Sequence, residues 1–126
     1  MTHDEIDKME GRELDRAVAE KVMGWTRVDG YLPADTAWWD GEKERWLEPP
    51  NNQQCWNEFQ PSTDIAAAWE VVEKLVPKER GHAVVIQWNG EWCGVKFTQY
   101  SKKFTSARTA PLAISRAALK AVTKKG

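Results

Sequence analysis

The chain has 126 residues, of which 41% are apolar and 29% charged, and its formal net charge is −1. That length and balance suit one globular domain with a modest core and exclude a disordered chain. A net charge so close to zero gives no overall attraction to nucleic acid or to acidic membranes, and leaves only a local basic face near the C-terminus to consider.

The segment that opens the chain, MTHDEIDKMEGRELD, is acidic and polar, reads as a tail around His3, and is not a signal peptide. Periodicity predicts the first helix from Arg12 to Met23, where Leu14, Val18 and Val22 recur at four-residue spacing beside Ala17. Gly24 suits its end. Trp25 and Val28 suit a short strand. From Leu32 to Pro61 the chain reads as strand fragments and loops. Asp40-Gly41 makes a tight turn between TAWW and ERWLE, and Pro49-Pro50 with Asn51-Asn52 ends any regular element. A second helix is expected from Thr63 to Leu75, capped by Ser62, with Asp64 in its first turn and Pro77 closing it. Its apolar stripe is Ile65, Trp69, Val72 and Val76, which assigns Trp69 to the core.

The clearest strand signal is HAVVIQWNGEWCGVKFTQY. A two-residue type I′ turn at Asn89-Gly90 would pair Trp88 with Glu91, Ile86 with Cys93, Val84 with Val95 and His82 with Phe97. Alternation then gathers Val84, Ile86, Cys93, Val95 and Phe97 on one face. Val85, Gln87, Trp92, Lys96, Thr98 and Tyr100 share the other. KKFTSA adds an edge strand. The last helix is expected from Ala110 to Thr123, with Thr109 as cap and Pro111 in the first turn. Its stripe is Ile114, Ala118, Ala121 and Val122, and Lys120, Lys124 and Lys125 suit its negative end. This order predicts an α+β fold, an α/β/α layered sandwich on an antiparallel sheet with about three helices, in one domain over the whole chain.

Most chemistries find no support. Cys55 and Cys93 form no CxxC pair, His3 and His82 do not converge with them, and neither a metal nor a cofactor is expected. On the register above, Cys93 lies about 13 Å along the strands from His82, so a small core residue is the better reading than a nucleophile. No P-loop, GxGxxG or GxSxG occurs. Asp15, Glu20, Glu70 and Glu73 read as solvated helix faces. Asp40, Glu42, Glu44 and Glu48 stand beside aromatics and suit recognition of hydroxyls or a cation better than acid–base work. No apolar run approaches a membrane span.

Three blocks resemble the phage ABA sandwich family of small α/β/α proteins. They are Gly11-Arg12-Glu13-Leu14-Asp15 continuing through Val22-Met23-Gly24-Trp25, then Ser62 to Trp69, then Thr109 to Leu119. The resemblance implies a phage origin and the layered fold. It assigns no catalytic residue, and the stretch from Trp38 to Trp56 lies outside its blocks.

The outlier in composition is eight tryptophans. Trp25 and Trp88 read as structural. Trp38 and Trp39 must point to opposite faces of a strand, with Trp46 and Trp56 near them. The alternatives there are a second small core, a ligand pocket or an oligomer interface. The expected ligand site combines Trp38, Trp39, Arg45, Trp46, Trp56, Trp92, Lys96, Tyr100, Lys102 and Lys103, because flat rings with cations hold bases and phosphates. In a phage setting this points to a non-enzymatic anti-defence protein of the host cytoplasm. It would act as a homo-oligomer that sequesters a nucleotide-like immune signal, such as a cyclic nucleotide or an ADP-ribose derivative. No membrane and no DNA or RNA polymer is expected as a partner. A module that docks on a host defence protein, or a nucleotide-processing enzyme, are the alternatives.

Overall fold

The first long helical segment forms where sequence periodicity puts it, but not as one uniform helix. In the computed structural model, which describes residues 1–29, 37–47, 58–76 and 82–123, an α-helix over Gly11–Ala17 (α2) passes into a π-helical turn over Val18–Val22. The widened turn ends at Gly24, whose φ of 72° lies in the left-handed region that glycine enters without strain. Leu14, Ala17, Val18 and Val22 are all buried, as their spacing predicts. The polar start is not a tail. It forms a short helix, His3–Ile6 (α1), whose Ile6 is fully buried and whose His3 Nε2 lies 3.2 Å from the carbonyl of Thr123.

Among the described residues, six strands form two antiparallel three-stranded sheets rather than one. The first sheet orders β1 (Thr26–Arg27), β2 (Ala37–Trp39) and β3 (Glu44–Trp46). Asp40 makes the β2–β3 turn by accepting the N–H groups of Glu42 and Lys43 at 2.8 and 2.9 Å. The second sheet orders β4 (Val84–Trp88), β5 (Cys93–Phe97) and β6 (Thr105–Ala107). Its first hairpin is shifted by two residues from the expected register, pairing Trp88 with Cys93, Ile86 with Val95 and Val84 with Phe97. The cause is Asn89, whose Oδ1 accepts the N–H groups of both Glu91 and Trp92, at 2.9 and 2.7 Å. That side-chain turn, with Gly90 at φ 93°, widens the connection from two residues to Asn89–Trp92. A shift of two keeps every side chain on its expected face.

Helix α3 runs over Ile65–Leu75 and α4 over Ala110–Val122. α4 lies across β5 and β6 and packs on α3. Cys93, Val95 and Phe97 meet it from the sheet, and Ala113, Ile114, Ala117 and Ala118 are its buried residues there. Thr109 caps α4, accepting the Leu112 N–H, with Pro111 in the first turn as expected. The buried face is broader than the stripe foreseen, and Val122 lies outside it, exposed.

α3 departs further. Its cap is Asp64, not Ser62, and its buried face is Ala67, Ala68, Val71, Val72 and Leu75. Ile65 and Trp69 are 53% and 47% exposed, so Trp69 is not a core residue. Alanine at 67 and 68 lets the backbone approach its neighbours more closely than tryptophan would, and the helix turns that small-residue face inward. Ser62 serves elsewhere: its backbone N–H donates to Asp15 Oδ1 at 2.8 Å. Asp15 is therefore buried, not on a solvated face. The described elements form an α+β fold consistent with a layered sandwich, with α1 added to the three helices expected. Pro49-Pro50, Asn51-Asn52, Cys55, Trp56, Glu48, Pro77, Lys124 and Lys125 lie outside the described residues.

Candidate ligand-binding site

The aromatic and cationic residues expected to converge fall into two separate groups. The first sits on the β2–β3 hairpin. Alternation sends Trp38 inward, 3% exposed, and leaves Trp39 45% exposed, as neighbouring strand positions require. Trp46 is also buried, and Trp38 joins the main apolar core. Trp38 Nε1 is buried without a hydrogen-bond partner among the described residues.

Arg45 is 8% exposed and occupied. Its two terminal nitrogens donate to the two carboxylate oxygens of Glu70 on α3, each at 3.0 Å, and Asp40 lies 3.5 Å away. The guanidinium carbon lies 5.0 Å from the Trp25 ring centre and 5.3 Å from that of Phe59, two rings that touch each other at 4.5 Å between centres. This planar, bidentate geometry beside a pair of rings is one that arginine alone supplies. Burial works against the charge on Asp40, but the Lys43 and Glu42 N–H groups and Arg45 outweigh it and hold its carboxyl below the ordinary range. Glu70 thus leaves the solvated-face expectation to clamp the first sheet onto α3.

The second group sits on the β4–β6 sheet and its connections. Lys96, Tyr100, Lys102 and Lys103 line a recess of about 820 Å³ between the β5–β6 connection and the last turns of α4. The connection is held tight by its own backbone. Tyr100 and Ser101 N–H both donate to the Phe97 carbonyl, and Lys103 N–H donates to Ser101 Oγ at 3.0 Å. Three residues that sequence reasoning missed complete the walls: His3, Phe104 and Lys120. Lys120 pairs with Asp7 at 2.6 Å, while among the described residues the lining itself contains no aspartate or glutamate. His3 and Lys120 were hidden because α1 was not expected. Lys120 was read only as a counter-charge at a helix end.

Trp92 belongs to a neighbouring recess of about 530 Å³ on the sheet face opposite α4, lined also by Gln87, Gly94, Phe104 and Ser106. Trp88, expected to be structural, is 62% exposed at its rim. Cys93 is buried among apolar neighbours, as expected, and burial pushes its thiol pKa up, away from the reactive thiolate. Among the described residues, no group of three or more His, Cys, Asp or Glu is placed to hold a metal, and no helix is long and apolar enough to cross a membrane.

Neither a curated protein nor a solved structure matches this chain. The model of the phage ABA sandwich domain matches residues 16–119, a span that includes both recesses' β4–β6 framework and the buried faces of α3 and α4. The chain therefore belongs to the phage ABA sandwich domain family.

Proposed function

We propose that this phage-family protein captures a small, anionic, nucleotide-like ligand in the lysine-lined recess and releases it unchanged. As an anti-defence sponge it would withhold such a signal from the host. The observation that carries this reading is an excess of cations: Lys96, Lys102, Lys103 and Lys120 line one concavity, Asp7 offsets Lys120 from outside it, and no carboxylate lies in the walls among the described residues. Like charges gathered in excess of their partners favour an anion, and lysine meets phosphate oxygens as a mobile point charge. Tyr100 and Phe104 add ring surface beside those charges. Capture needs no acid–base pair or nucleophile, and we assign none. A homo-oligomer would enclose the ligand further. Among the described residues, β4 is one edge of its sheet, with Ile86 and Trp88 exposed and no charged side chain along Val84–Trp88, and suits pairing with a second copy.

The test is direct. Protein purified from infected or expressing cells is denatured, and the released small molecules are identified by mass spectrometry. The wild type should release an anionic nucleotide-class compound of unchanged mass after prolonged incubation, and a K102A/K103A double variant should release about tenfold less or lower. A compound converted on incubation would make the protein an enzyme. An empty protein that instead retains a host polypeptide would favour the protein-docking alternative.

A further inference from the structure

The lysine recess has a neighbour built to a different chemistry, and one residue, Phe104, belongs to the walls of both. On the sheet face turned away from α4, the pairing of β5 with β6 sets Gly94 opposite Ser106. Continued by one step each way, the same register sets Trp92 beside Arg108 and Lys96 beside Phe104. The ring contacts agree: Arg108 lies 6.0 Å from the Trp92 ring centre and Lys96 Nζ 4.7 Å from that of Phe104. Gly94 is what lets Phe104 lie across the middle. A Cβ built there would stand 3.4 Å from Phe104 Cδ1, so the phenyl ring leans over the glycine. Trp92 and Phe104 thus line the same recess from strand positions four residues apart, roughly 13 Å along the sheet, with the Phe104 ring leaning back toward Trp92 over Gly94.

Between the walls the floor is polar. Gln87 pairs with Gly94 from β4, and Ser106 lies on the other side. Asn89 spends its carbonyl oxygen on the Glu91 and Trp92 N–H groups, which turns its amide N–H₂ outward. An amide with both donor and acceptor, a second amide donor and a hydroxyl suit the nitrogen-rich edge of a heterocycle better than they suit a hydrocarbon ring.

We infer that the Trp92–Phe104 recess seats the planar base of the ligand whose phosphate lies among Lys96, Lys102 and Lys103, with Phe104 as the partition over which the sugar passes. This rests on the capture reading above and gives it a ligand class: a nucleoside phosphate, recognised at both ends. The ring's seat is then Trp92 and Phe104 rather than Tyr100, and Gly94 is the residue that sets how much room the base has.

Two probes that share a phosphate and differ by a base test this: AMP and ribose 5-phosphate, titrated by calorimetry against the full chain. The wild type should bind AMP at least about tenfold more tightly, since stacking is worth that much per base. W92A should lose that preference and leave the ribose 5-phosphate affinity within about twofold, and F104A, whose ring also lines the lysine recess, should lose the preference. G94V, whose side chain would push the Phe104 ring aside, should also lose the preference, and W92F should retain most of it. K102A/K103A should weaken both probes alike. Thermal melting of each variant separates unfolding from a lost contact. Equal affinities for the two probes in the wild type, or a preference that survives both W92A and F104A, overturn the base seat alone. Failure of both probes to bind the wild type at millimolar concentration overturns the base seat and the capture reading together.

Discussion

The β2–β3 hairpin and the β4–β6 sheet draw on the same residue types and use them oppositely. The hairpin carries tryptophans and an arginine, yet Trp38 and Trp46 fill the interior and Arg45 meets Glu70 through two hydrogen bonds. The sheet and its connections carry tryptophan, phenylalanine and lysines, yet Trp88, Trp92 and Phe104 are exposed and, among the described residues, no carboxylate lines the lysine recess. Rings beside cations are therefore not a binding signature by themselves. What separates the two regions is whether the cations outnumber the anions beside them.

The sharpest way to break this comparison is Trp38→Ala. If Trp38 is interior, chemical denaturation should show a loss of about 3–5 kcal/mol, with no change in ligand capture by whatever protein remains folded. A mild loss of stability with a large loss of capture would move the ligand to the hairpin. Next comes Arg45→Ala, which strands two carboxylates and should cost about 2 kcal/mol or more. Arg45→Lys should recover little of it, because an ammonium cannot reproduce the two-pronged contact.

The two carboxylates of the described core sharpen the picture through opposite pH slopes. Asp15 is raised above the ordinary carboxylate range, chiefly by burial, against the lowering effect of its Ser62 hydrogen bonds. A raised carboxyl binds its proton more tightly in the folded state, so its contribution falls as pH climbs from the ordinary carboxylate value through the raised one. Asp40 is lowered, so its contribution is present above the ordinary value and fades as pH drops through the folded one. Melting temperature across the acid range should therefore change slope in opposite senses in Asp15→Asn and Asp40→Asn. Matching slopes would mean one of the two environments is misassigned. The smallest effect belongs to Trp69→Ala on the solvent side of α3, below about 1 kcal/mol, as for other exposed positions.

Much of this was legible in the sequence, and the misses share a cause. The helix positions, the Thr109 cap, the two hairpins and the inward set Cys93, Val95 and Phe97 follow from periodicity and turn chemistry. The hairpin register slipped by two because Asn89 acts through its side chain, which a dipeptide signal does not reveal. α3 was misphased because hydrophobicity ranks Trp69 above alanine, whereas close helix packing rewards small residues. Asp15 and Glu70 were read as solvated because their partners, Ser62 and Arg45, are 47 and 25 residues away. Of the candidate site, the lysines and Trp92 were visible as types. Their separation from the hairpin tryptophans was not, since it depends on which sheet each strand joins.

His3 and Thr123 meet at 3.2 Å, so the opening helix and the end of α4 form one rim of the lysine recess. An affinity tag spliced ahead of Met1 will hang beside that rim, and an acidic leader there would neutralise the very charges under study. Titrations should be read only after such a leader has been cut away, and a spin label or fluorophore placed near His3 becomes a natural reporter of occupancy.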